Sequence, residues 1–240
     1  MNRAGHAIVA CVLLLTACST GTTRYPVPPL PVSKVEQLRS EALRASPPVE
    51  QGPFRDDDLV EPVTLDPTLK LDVRYATSDN LLRTPVYPDA RVFLQRPVAE
   101  AVVQASQALR EQGYGLVLLD GYRPWYVTKL FWLATPAEQR QFVADPDVGS
   151  RHNRGSAIDL TLYSLATGAA VEMPSGYDEF SERAHPDYAG GSGEARAARD
   201  LLRRTMEAAG FSVNSHEWWH YDHRDWEQYR LSNAFFKDLQ

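Results

Sequence analysis

The chain has 240 residues, 25 Lys and Arg against 31 Asp and Glu, a formal charge of −6 and 43% hydrophobic residues. These fractions exclude a wholly disordered or collagen-like chain, and mild acidity without a basic stripe argues against nucleic-acid binding. Two cysteines, Cys11 and Cys18, are too few for a disulfide scaffold.

Residues 1–17 read MNRAGHAIVACVLLLTA, a positive start at Arg3 followed by an apolar run from Ala7 to Leu15. A bilayer-spanning helix needs about 20 apolar residues, so the run predicts a cleaved export signal instead. Leu15-Thr16-Ala17-Cys18 resembles the lipobox of bacterial lipoproteins. That resemblance implies an acylated Cys18 as the new N-terminus and a lipid anchor in the cell envelope. With Ser19 next, it implies the periplasmic face of the outer membrane in a cell with two membranes. Cys11 would leave with the signal and Cys18 would be acylated, so cysteine catalysis is excluded. Residues 18–57 hold Pro26, Pro28, Pro29, Pro31, Pro47, Pro48 and Pro53 and read as a tether, with a short helix at Ser33–Arg39. One folded domain is expected over 58–240.

Within it, the alternation Leu71-Asp72-Val73-Arg74-Tyr75 predicts a strand. The spacing of Val98, Ala101, Val102, Ala105, Ala108 and Leu109 predicts a helix from Pro97 to Gln112, stopped by Gly113. Leu116–Leu119 reads as a buried strand ending in Asp120-Gly121, Pro124–Leu133 as a helix and Pro136–Val143 as a shorter one. Ser156–Tyr163 reads as a strand, paired through the turn Thr167-Gly168 with Ala169–Met173. Glu194–Ala209 is an amphipathic helix ended by Gly210, and Phe211–Val213 and Trp218–Tyr221 close the domain as strands. This mixed order predicts an α+β fold: a single domain with a mainly antiparallel central sheet flanked by helices.

Polar chemistry concentrates in Asp120–Pro124, Ser150–Asp159 and His216–His220. A hydrolytic zinc site needs three protein ligands, an open position for water, and a carboxylate that is not a ligand. The last string, His216-Glu217-Trp218-Trp219-His220, has HExxH spacing, which on a helix would make both histidines ligands. Its tandem Trp and strand-like surroundings argue for a strand instead.

Ser-x-His-x-x-Gly-x-Ala-x-Asp at Ser150–Asp159 and Glu-x-x-His at Glu217–His220 are similar to the zinc D-alanyl-D-alanine dipeptidases. Asp120–Pro124, Tyr75–Asn80 and Gly176–His185 extend the resemblance from about Asp58 to the C-terminus. It implies one zinc ion per chain on His152, Asp159 and His220, with Glu217 as the general base. It further implies that Arg123 steadies the oxyanion and Asp178 holds the substrate ammonium, with Ser150 and Tyr75 as further substrate contacts. The partner implied is a small D,D-dipeptide, besides the membrane reached through Cys18; no protein partner is predicted. A D,D-carboxypeptidase or endopeptidase with a more open cleft stays as an alternative, as does a non-catalytic module that binds cell-wall peptides.

Overall fold

The computed structural model describes residues 28–239; the export signal and Cys18 lie outside the described residues. The strands are β1 (Leu59–Val60), β2 (Lys70–Leu71), β3 (Leu94–Gln95), β4 (Tyr114–Asp120), β5 (Ala157–Ser164), β6 (Phe211–Asn214) and β7 (Glu217–His223). The helices are α1 (Val32–Arg44), α2 (Pro62–Leu65), α3 (Arg96–Arg110), α4 (Trp125–Ala134) and α5 (Gly193–Ala208). β1 and β3 pair as a small antiparallel ribbon, and the main sheet runs β2-β4-β5-β7-β6. Among the described residues only the β2–β4 pair is parallel. The α+β expectation, with a mainly antiparallel sheet, therefore holds.

Local chemistry explains most boundaries. Pro97 sits in the first turn of α3, where its missing N–H costs nothing. The Ser192 hydroxyl accepts the Ala195 amide and starts α5. α3 and α5 pack on each other and against the strands, α3 on β4 and α5 on β5, β6 and β7. Ile158, Leu160 and Leu162 of β5 are fully buried, as are Trp125, Trp219, Tyr122 and Tyr221.

Three expectations need correction. The alternation at 71–75 is a strand only over Lys70–Leu71. The chain then enters a 3-10 turn at Arg74–Ala76, and the Tyr75 carbonyl accepts the amides of Val86 and Tyr87. Alternation there reflects a turn that buries Tyr75, not a ladder. The 169–173 strand reduces to one bridge, Tyr163 with Ala170. The short helix expected inside the tether is a full α1, with Val35, Leu38 and Ala42 buried on one face and packed against α4. Burying Val35 and Leu38 contributes about 1.5–3 kcal/mol each, so α1 packs onto the body of the domain. The short helix expected over 136–143 is present as the 3-10 helix Ala137–Phe142.

Candidate metal centre

Strand register assembles the site. Asp159 on β5 lies directly opposite Asp120 on β4 and His220 on β7, so the three share one level across three neighbouring strands. Glu217 and His220 are three residues apart, which in a regular strand puts them on opposite faces. The β6–β7 register breaks this rule. Val213 faces Tyr221, but Asn214 faces Glu217, so Trp218, Trp219 and His220 bulge out between them. Glu217 Oε2 thereby comes within 3.6 Å of His220 Nδ1, and Asn214 Nδ2 donates to it at 3.1 Å. Because the string lies on a strand, the helical HExxH reading fails. His216 precedes β7 and is exposed, its ring packed edge-on against His185.

His152 comes from a one-turn 3-10 segment, Arg151–Arg154, just before β5. The Ser150 hydroxyl accepts the His152 amide, and the Asn153 side chain accepts the Ser150 amide and donates to the Arg123 carbonyl and to Thr128. The turn ends at Gly155, whose φ of +63° favours glycine, and where a Cβ would fall 2.4 Å from Leu59 Cδ2. Gly121 is also obligatory: a Cβ there would meet the Phe93 carbonyl at 2.7 Å. Its own carbonyl accepts a hydrogen bond from His152 Nδ1 at 2.7 Å. That bond fixes the tautomer and leaves the Nε2 lone pair facing inward.

His152 Nε2 lies 3.1 Å from His220 Nδ1 and 3.4 Å from Asp159 Oδ1, and His220 Nδ1 is 3.1 Å from Asp159 Oδ1. One ligand atom from each residue fits within a 4.8 Å cluster. His220 donates its Nε2–H to Asp222 Oδ1 at 2.9 Å, which turns the Nδ1 lone pair toward the cluster. Asp159 Oδ2 accepts the Tyr177 hydroxyl, while its Oδ1 is buried with no hydrogen-bond donor. Two inward imidazole lone pairs and an orphaned carboxylate oxygen form an acceptor-only cluster, the donor set a divalent cation requires.

A cavity of about 480 Å³ opens on this cluster, lined also by Arg123, Asp178, Glu217, Ser150 and Tyr75. All eight side chains expected at the site are thus brought together. Arg123 donates from Nε and Nη2 to Asp120 Oδ2, and its guanidinium lies over the Tyr75 and Phe131 rings. Asp178 adopts a left-handed φ of +56°, and its Oδ2 accepts the Tyr75 hydroxyl at 3.0 Å. Burial, then the charges of Asp159 and Glu217, push its carboxyl up to about 8. Burial also raises the Glu217 carboxyl. At the rim, Phe142 and Phe180 stack with ring centroids 4.8 Å apart.

Sequence reasoning did not assign roles to Asp120, Tyr177 and Asp222. Asp222 carried a usable signal, two residues beyond His220 and so on the same strand face. Asp120 pairs with Arg123 three residues on, inside the Asp120–Pro124 string, whereas Tyr177 reaches Asp159 from a loop, which no local spacing reveals.

A family model described as D-ala-D-ala dipeptidase matches residues 56–238. The chain belongs to the D-Ala-D-Ala dipeptidase family of peptidases. Among relatives in this family, a D-alanyl-D-alanine dipeptidase of Escherichia coli (strain K12) is 35% identical over 165 residues, 69% of this chain and 84% of its own. One from Enterococcus faecium is 39% identical over 186 residues, 70% of this chain and 91% of its own. The stretch matched by the D-Ala-D-Ala dipeptidase family model begins after Arg55, so α1 and the chain that follows it lie N-terminal to that stretch.

Proposed function

We propose that this chain is a zinc dipeptidase that hydrolyses D-alanyl-D-alanine, or related D,D-dipeptides, to free amino acids in the cell envelope. The observation that carries this reading is the convergence of His152 Nε2, Asp159 Oδ1 and His220 Nδ1 beside the Glu217 carboxylate. The family relatives named for this dipeptide support the substrate class.

His152, Asp159 and His220 would hold one zinc ion, a three-ligand set of the catalytic kind. When bound, the ion supplies Lewis acidity, making water a nucleophile at neutral pH and polarising the scissile carbonyl. Glu217 takes the proton from the attacking water and delivers it to the leaving amine as the C–N bond breaks, so two amino acids leave and the base is restored. Its burial-raised basicity suits that exchange. Arg123, held by Asp120, donates to the oxygen on which negative charge develops. Asp178, fixed by Tyr75, receives the substrate ammonium, whose charge favours the ionised carboxylate that burial alone opposes. Ser150, whose oxygen accepts the His152 amide, keeps its own proton available for a substrate oxygen.

Export and lipid attachment at Cys18 belong to the same reading, supported by the apolar run and the Leu15–Cys18 string. Each buried acyl CH₂ contributes ~0.8 kcal/mol of anchorage. Cys18→Ser should move the protein from the membrane fraction to the soluble one.

The decisive experiment offers purified, signal-free protein free D-Ala-D-Ala, L-Ala-L-Ala and a D-Ala-D-Ala-ended pentapeptide, with and without chelator. Turnover of D-Ala-D-Ala alone, abolished by chelator and restored by zinc, is expected. Comparable turnover of the pentapeptide would replace the dipeptidase reading by a carboxypeptidase. Binding without turnover would replace it by a recognition module.

A further inference from the structure

The extended segment after α1 reaches the catalytic turn. Glu50, on this segment and N-terminal to the stretch shared with the family, accepts from both terminal nitrogens of Arg154, Nη2 to Oε1 at 2.5 Å and Nη1 to Oε2 at 3.3 Å. Arg154 is buried and stands two residues beyond His152 in the same 3-10 turn. Its Nη1 also donates to the Tyr229 carbonyl, and its guanidinium lies over the Trp226 ring. Glu50 Oε2 additionally accepts the Leu231 amide at 2.6 Å, and the next amide, Ser232, donates to the Asn153 carbonyl at 2.9 Å. One carboxylate therefore closes a ring of contacts through Arg154, Asn153, Ser232 and Leu231, and that ring encloses the turn that aims His152.

We infer that Glu50 is a positioning residue for the His152 turn, so that the segment following α1 is a working part of the metal centre. The inference rests on the zinc reading given above. Further contacts hold the segment in place, among them Asp57 Oδ1 accepting from Gln95 Nε2, the Arg55 amide donating to the Gln228 carbonyl, and the Arg55–Asp225 and Asp58–Arg96 ion pairs. Those side-chain pairs are solvent-exposed and contribute little. The Glu50–Arg154 pair is the sheltered one, with the Arg154 side chain 9% exposed, so removing the carboxylate leaves a buried guanidinium without its counter-charge. Groups that orient metal ligands typically change metal affinity by about 10–100-fold when removed.

The test uses the complete chain after signal removal, as parent, Glu50→Ala, Glu50→Gln and, as a control, Arg55→Ala. Zinc affinity is measured by competition with a chromophoric chelator. The Co(II)-substituted protein is followed by its visible d–d bands, and circular dichroism reports the fold. Glu50→Ala should bind zinc about 10–100-fold more weakly, with altered Co(II) bands and an intact dichroism spectrum, while Arg55→Ala matches the parent. Should Glu50→Ala fail to fold, Glu50→Gln, which keeps the shape and loses the charge, is read by the same criteria. Parent-like zinc affinity and Co(II) bands in the folded Glu50 variant would overturn the inference and leave the zinc reading intact. A parent that takes up no zinc would overturn the zinc reading, and the inference with it.

Discussion

Asp120 Oδ2 accepts two hydrogen bonds from Arg123, from Nε at 3.0 Å and from Nη2 at 2.8 Å. Its other oxygen accepts the Tyr87 hydroxyl at 2.7 Å. The guanidinium is thus oriented before any substrate arrives, which is what a preorganised oxyanion donor needs.

Breaking this pair from either side should have different consequences. Arg123→Ala should lower kcat by about 10²–10³, or roughly 2.7–4 kcal/mol of barrier, with the smaller loss of stability, because the stranded Asp120 carboxyl, already raised by burial, can take up a proton. Asp120→Asn leaves the largely sheltered Arg123 guanidinium, which cannot shed its charge, without its counter-charge and should lower unfolding stability by about 3–5 kcal/mol. Steady-state kinetics and denaturant unfolding on both variants separate the two effects. Equal kinetic and stability losses in both would contradict the assignment of Arg123 to the reacting oxygen.

The metal ligands should follow the strand geometry and not the HExxH string. His152→Ala should lose zinc and activity, while His216→Ala, altering an exposed side chain at the cavity rim, should keep both. Asp222→Ala, which frees the His220 ring to rotate, should weaken zinc binding about 10–100-fold. Metal content after dialysis reads all three, and loss of zinc from His216→Ala with retention in His152→Ala would reverse the assignment.

Burial lifts the Glu217 carboxyl above its ordinary value of 4.5. A base works only when ionised, so activity should fall as pH drops through this raised value, and the acid limb of kcat/KM should lie above the usual carboxylate range. Glu217→Gln should lower kcat by about 10²–10⁴ at neutral pH and abolish that limb in the residual rate. A residual rate that keeps the same acid limb would assign it to another group.

Phe142 and Phe180 stack across the rim from two separate segments, one ending the 3-10 helix after α4 and one in the loop that carries Asp178. If this stack restricts access by longer peptides, Phe142→Ala together with Phe180→Ala should raise the rate on the pentapeptide relative to free D-Ala-D-Ala. An unchanged ratio would place the size limit deeper in the cavity.

The candidate metal centre was legible because its residues lie in short strings, and their spacing encodes a turn followed by a strand. Ser150 to Asp159 holds a capped turn, an obligatory glycine and the first three strand residues. The place of Asp120 opposite Asp159 was hidden because it depends on which strand lies beside β5. The bulge that brings Glu217 beside His220 was equally invisible, since it is a property of the β6–β7 pair. α1 was underestimated because only Val35, Leu38 and Ala42 mark its inner face, too weak a stripe to announce packing without its partner α4. The strand expected at 71–75 failed for the opposite reason. Its alternation was real, but Tyr75 turns inward to reach Asp178.

The alignment of Asp120, Asp159 and His220 across three strands also sets where the chain tolerates a change of length. Inserting or deleting one residue within β5 ahead of Asp159 would send that carboxylate to the opposite side of the sheet. The same edit in the exposed turn at 165–168, beyond the far end of β5, moves no ligand. Chimeras between relatives should therefore be joined at this turn, and length variation among functional homologues should collect there and stay out of 150–159.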